Sequence, residues 1–156
     1  MPQFNALHLA IDLACAQRDQ AMAELQKRRQ AHAFALDQMD QLQQYSTETE
    51  QRWMHGGQKS FSPALLHHHY QFMGRLQQAV SLQQGVLGNS GARVEYAQQQ
   101  VLQAEFRLSS LKQVLAKRQA ALVVTAQRRD QKQMDEFASM QSLRVARQKM
   151  ENMNEY

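Results

Sequence analysis

Apolar residues recur at every seventh position along the second half of the chain: Leu66, Met73, Val80, Leu87, Val94, Val101, Leu108, Leu115 and Leu122. A strict seven-residue repeat keeps one seam turned toward a partner only if the helix winds left-handed around a second strand. The ladder therefore predicts a coiled coil and not merely a helix. A second column, His69, Leu76, Gln83, Ser90, Ala97, Ala104, Leu111, Arg118 and Thr125, runs beside it. The same arithmetic upstream pairs Phe4, Ile11, Arg18, Leu25, His32, Met39, Ser46 and Trp53 with Leu7, Ala14, Ala21, Arg28, Ala35, Leu42 and Thr49, a usable but interrupted seam.

These columns predict helix one over about 4–54 and helix two over about 63–150, joined by a turn at 55–62 within a single coiled-coil domain, 1–156. Gly56 and Gly57 end one helix; Ser62 can cap the next, with Pro63 in its first turn. Gly88, Asn89, Ser90 and Gly91 are poor helix formers in succession, and each interior glycine costs about 1 kcal/mol against alanine. The expectation is a bend or local unwinding at Gly85–Gly91, with the helix resuming in phase; two separate helices are the alternative.

A turn centred near residues 58 and 59 pairs positions whose numbers sum to roughly 117, the geometry of an antiparallel helix pair. Phe4 then faces the neighbourhood of Gln113. At 1.5 Å per residue the hairpin is ~75 Å long, and the chain after about residue 113 extends ~50 Å without an internal partner. Leu115, Leu122, Met134, Phe137 and Met140 continue an apolar stripe along that overhang. A lone helix with such a stripe calls for a protein partner. The fold class expected is thus all-α, a long antiparallel two-helix hairpin with a C-terminal helical overhang.

Composition strengthens this picture. Aromatics make up 7% of the 156 residues, prolines number two, and the 27 glutamines with Ala, Leu, Arg and Met favour helix over strand or turn. No run of 18 or more apolar residues and no signal-like start is present, so the expectation is a soluble, cytoplasmic chain. Cys15 is the one cysteine, which excludes an internal disulfide and suits a small packing residue.

The net charge of +4 is unevenly placed. Four acids outnumber Arg52 and Lys59 between Asp37 and Ser60, whereas Lys112, Lys117, Arg118, Arg128, Arg129, Lys132, Arg144, Arg147 and Lys149 face only Asp130, Asp135 and Glu136. Such a stretch fits a solvated face, a nucleic-acid or membrane-surface helix, or a docking surface for an acidic protein. The interspersed acids and the scarcity of aromatics disfavour nucleic acid.

Candidate chemistry is thin. His67, His68 and His69 point about 100° apart on a helix and cannot close a chelate, so no metal is expected. No glycine-rich loop follows a strand and no nucleophile has an orienting partner. The chain is therefore expected not to be an enzyme and to need no cofactor. Arg18, Arg28, His32, Arg118 and Arg129 fall on seam columns, where such residues set register and snorkel to water.

Two stripes near the turn carry more. Gln38, Leu42 and Tyr45 lie at i, i+4, i+7 on helix one, and Phe72, Leu76 and Ala79 repeat that spacing on helix two, pairing across the turn. Leu42 and Leu76 are seam positions. Tyr45 and Phe72 flank the seam, where a thin coiled coil leaves them partly exposed, a pattern suited to protein docking.

The run Arg129-Asp130-Gln131-Lys132-Gln133-Met134-Asp135-Glu136-Phe137-Ala138, together with Tyr70-Gln71-Phe72, Leu76, Ala79 and the Leu7 to Leu13 helix, resembles the FliJ family of the bacterial flagellar type III export apparatus. The resemblance implies a non-enzymatic export factor with an antiparallel coiled coil similar to the γ subunit of rotary ATP synthases. It implies that the chain ends, here Arg128, Arg129, Asp130, Lys132, Met134 and Phe137, enter the ring of the export ATPase FliI. It also implies that Gln38, Leu42, Tyr45, Phe72, Leu76 and Ala79 meet the cytoplasmic domain of the export gate FlhA, and that the protein takes part in recycling export chaperones. The expected location is cytoplasmic, peripheral to the inner membrane at the flagellar base. Thr49 and Gln83 depart from the family, which tends to have Tyr and His there. The equivalent stalk of a virulence-type injectisome is the nearest rival, and a basic scaffold binding nucleic acid or a membrane surface is a rival of another class.

Overall fold

The computed structural model describes residues 2–56 and 62–155, so residues 57–61 of the predicted turn lie outside the described residues. A short 3₁₀ turn, Pro2–Phe4, leads into α1, Asn5–Gly56, and α2 runs Pro63–Asn154. There is no strand among the described residues, and the two long helices pack against each other as an antiparallel hairpin. At the start of α2 the Ser62 hydroxyl accepts the Leu65 N–H at 3.2 Å, the N-cap that its position before Pro63 predicts. By packing, the chain forms two compact units, Asp12–Leu108 and Met1–Ile11 with Ser109–Tyr156.

Within Asp12–Leu108 the seam is the one the seven-residue columns predict. Ala14, Ala35 and Met39 of α1 and Leu76, Ala97 and Leu108 of α2 are buried. The remaining column residues are half-buried, apart from Leu66 at the α2 start. Arg18 and Arg28 occupy seam positions but send their guanidinium ends outward to Asp19 at 3.0 Å and Glu24 at 2.9 Å on their own helix. Their stems cover the seam while their charges stay wet.

Helix two does not unwind between Gly85 and Gly91. α2 is continuous through that stretch, and no described glycine has a positive φ. The reason lies across the seam. The Ser90 hydroxyl donates to the Leu87 carbonyl at 3.1 Å and lies 2.7 Å from His32 Nδ1. A hydroxyl has one hydrogen, so while Ser90 donates to Leu87 the His32 tautomer protonated at Nδ1 is the one that completes the pair. Gln83 donates to the Ala35 carbonyl at 2.8 Å, and Gly91 faces the His32 ring, whose Cε1 lies 3.6 Å from where a Cβ would sit, an ordinary contact distance. This polar layer holds the glycine-rich stretch against α1 and fixes the register there.

In the other unit, α1 reaches farther along α2 than the expected facing of Phe4 and Gln113. Phe4 is buried, and Phe4 and His8 line one cleft with Gln119, Leu122 and Val123. Leu115 and Leu122 are half-buried, so the ladder is paired to its last step, and the unpaired segment begins beyond Val123. The correction has a geometric cause. Side chains in a helix lean toward its N-terminus, so in an antiparallel pair those of α1 lean toward the open end and those of α2 away from it. Residues that touch then have numbers summing to more than those whose backbones are level. Observed pairs run from 117 for Tyr45 with Phe72 to 122 for His32 with Ser90. From Val123 on, every described residue is exposed. To Asn154 that is ~48 Å of exposed helix.

Gly85 and Gly88 face open space, while an alanine at Gly91 meets His32 only at ordinary contact distance. Gly85→Ala and Gly88→Ala are expected to raise stability by about 0.5–1 kcal/mol each in circular-dichroism melts. Gly91→Leu is expected to lower it by displacing His32; a Gly91→Leu melt at or above wild type contradicts the close-approach role.

Candidate protein-docking surfaces

Near the turn, α1 and α2 bring the two predicted stripes together. Tyr45 and Phe72 meet edge to face, with ring centroids 6.0 Å apart and planes at 79°. Tyr45 remains 50% and Phe72 37% exposed, Leu76 is buried and Leu42 half-buried beneath them. Gln38 is exposed and Ala79 half-buried. The arrangement is an aromatic pair standing on an aliphatic seam, offering an apolar face with the phenol as a hydrogen-bonding handle.

A second aromatic contact lies beside the first and was not singled out from the stripes. Trp53 stacks on His69 with centroids 3.9 Å apart and planes 4° from parallel, and Tyr70 tilts against His69 at 6.2 Å. Trp53 and His69 both occupy seam columns, but their numbers sum to 122 rather than the 117 of Tyr45 and Phe72, so a fixed sum does not find them. His69 is thereby a packing residue, whereas His67 and His68 are exposed. No group of three or more His, Cys, Asp or Glu side chains converges among the described residues. Gln83, at the far end of one stripe, is engaged with the Ala35 carbonyl rather than presented outward; Thr49 is half-buried.

The C-terminal candidates lie in the unpaired part of α2. Arg128, Arg129, Asp130, Lys132, Met134 and Phe137 are all exposed, Phe137 at 64%. At 100° per residue they surround the helix rather than occupy one face. The seam columns turn polar here, at Thr125, Arg129, Lys132 and Glu136, while Met134, Phe137 and Met140 lie off them. Met134, Phe137 and Ala138 share a shallow cleft with Asp130, Gln133 and Gln141. Farther on, Met140, Leu143, Val145, Met150 and Met153 are exposed, with Leu143, Met150 and Met153 back on the seam columns. Among the described residues, no helix is long and apolar enough to cross a membrane.

The family model described as Flagellar FliJ protein matches residues 3–147, nearly the whole chain and both candidate surfaces. No curated protein matches the chain.

The aromatic contacts near the turn are open to direct measurement. A Tyr45→Ala, Phe72→Ala double-mutant cycle is expected to give about 0.5–1.5 kcal/mol of coupling. Trp53 is the one tryptophan, so His69→Ala should shift its emission to the red; an unmoved spectrum argues against the stack in solution.

Proposed function

Because the chain belongs to the flagellar FliJ family, whose members are coiled-coil proteins associated with flagellar type III export, we propose that it is the stalk linking the export ATPase FliI to the export gate FlhA. In this reading the exposed segment after Leu122 enters the ATPase ring. The Tyr45–Phe72 face docks on the cytoplasmic domain of FlhA, and the protein also takes part in recycling export chaperones. It works in the cytoplasm, peripheral to the inner membrane, and performs no chemistry itself.

The observation that carries the proposal is the unpaired part of α2. Arg128, Arg129 and Lys132 surround a helix whose Met134, Phe137 and Met140 are exposed, and no described residue of α1 covers them. A ring encloses a helix from all sides, which suits charges and apolar groups distributed around the helix better than a one-sided groove does. A helix with unlike faces binds differently to ring subunits in different nucleotide states, and only such differential binding can couple hydrolysis to a mechanical change. At the other surface, Tyr45 and Phe72 supply the partly exposed aromatic anchor that protein interfaces favour.

A chain truncated after Thr125 keeps every residue that packs on α1 and is expected to lose binding to the ATPase in a pull-down; undiminished binding sinks the ring assignment. Tyr45→Ala with Phe72→Ala is expected to weaken affinity for the gate domain at least about tenfold while leaving ATPase binding intact. A deletion strain is expected to lose flagellar motility, the phenotype that separates this reading from an injectisome role.

A further inference from the structure

The two edges of the coiled coil between Asp12 and Leu108 differ in chemistry. Residues one before the Phe4–Trp53 column on α1 and one before the Leu66–Leu122 column on α2 share an edge. The Tyr45–Phe72 contact lies on it, as does a groove in which Gln17 and Glu24 face Arg93 and Gln100. Arg52, Arg93 and Arg107 stand along this edge with Glu24, whose carboxylate is already held by Arg28 at 2.9 Å. None of the three arginines makes an ion pair among the described residues. The opposite edge, one residue beyond the other two columns, carries Glu50 and Glu105 against Arg29.

The basic edge also has the shape of a seat. Ala21, Ala92 and Ala97 line the groove, so a neighbouring backbone can approach closely. Along α2, Leu82, Val86, Arg93 and Tyr96 fall within one narrow stripe of the helix surface, and Tyr96 is 65% exposed. An apolar stripe beside small residues is what a third helix needs to pack into a two-helix groove.

We propose that this groove takes one amphipathic helix of a partner protein, its apolar side on Val86 and Tyr96 and its carboxylates opposite Arg93 and Arg107. The sign of the partner follows from the edge: unpaired Arg93 and Arg107 against one neutralised glutamate select an acidic helix and repel a basic one. The site is separate from the Tyr45–Phe72 pair and from the segment after Leu122, so it stands or falls independently of the stalk reading.

The test uses the full chain and two labelled synthetic helical peptides with the same leucine seam, one flanked by glutamates and one by lysines, followed by fluorescence anisotropy at physiological salt. The glutamate peptide is expected to bind at least about tenfold more tightly than the lysine peptide. Arg93→Glu with Arg107→Glu should invert that preference, and Arg93→Gln with Arg107→Gln should abolish it. Tyr96→Ala should weaken both peptides, with helicity and melting checked for each variant. Arg128→Glu with Arg129→Glu, far along α2, should leave the preference unchanged. Equal binding of the two peptides overturns the proposal, as does a preference that follows Arg128 and Arg129. A self-association by light scattering that Tyr96→Ala abolishes also overturns it, since the groove's occupant is then a second copy.

Discussion

The seam between α1 and α2 is the constraint on which everything else rests. A two-helix coiled coil has no interior beyond the residues that face each other, so each helix buries one narrow stripe and leaves the rest of its surface wet. All seven buried side chains lie on the predicted columns, Phe4 in one unit and Ala14, Ala35, Met39, Leu76, Ala97 and Leu108 in the other. Side chains outside the stripe contribute little to holding the helices together. They are available for partners, which is why a thin coiled coil suits a protein whose work is contact.

A seam of small and aliphatic residues alone does not choose its register sharply, because sliding by one heptad replaces apolar by apolar. The polar residues in the columns supply the discrimination. His32 with Ser90, and Gln83 with the Ala35 carbonyl, satisfy one another only in the observed alignment. A slip would bury hydrogen-bonding groups without partners, at a cost of about 1–3 kcal/mol each. The same layer accounts for the helical state of Gly85–Gly91. Local propensity disfavours helix there, but tertiary contact of Ser90 and Gly91 with His32 offsets it.

The unequal helix lengths set the functional character. α1 has 52 residues and α2 has 92, so part of α2 must lack an internal partner whatever the register. Just after Leu122 the seven-residue columns are polar, at Thr125, Arg129, Lys132 and Glu136, while Met134, Phe137 and Met140 lie off them; Leu143, Met150 and Met153 fall on the columns again and are exposed. A stretch of helix that α1 does not cover and that keeps large apolar side chains exposed is the kind of surface that protein partners cover.

The seven-residue spacing determined the helices, their antiparallel pairing, the columns that are buried, the Ser62 cap and the Tyr45–Phe72 match, because each follows from periodicity and local stereochemistry that one strand of sequence carries in full. The resemblance at Arg129–Ala138 pointed to the FliJ family, whose model matches residues 3–147. Other features depended on groups far apart in the chain. The lean of side chains toward each N-terminus carried the pairing to Leu122, the His32 ring came to face Gly91, and the flat stack of Trp53 on His69 formed between two residues that a column lists separately. Only the tertiary structure decided these, since spacing reports which face a residue occupies, whereas contact depends on how far its side chain reaches across to the other helix.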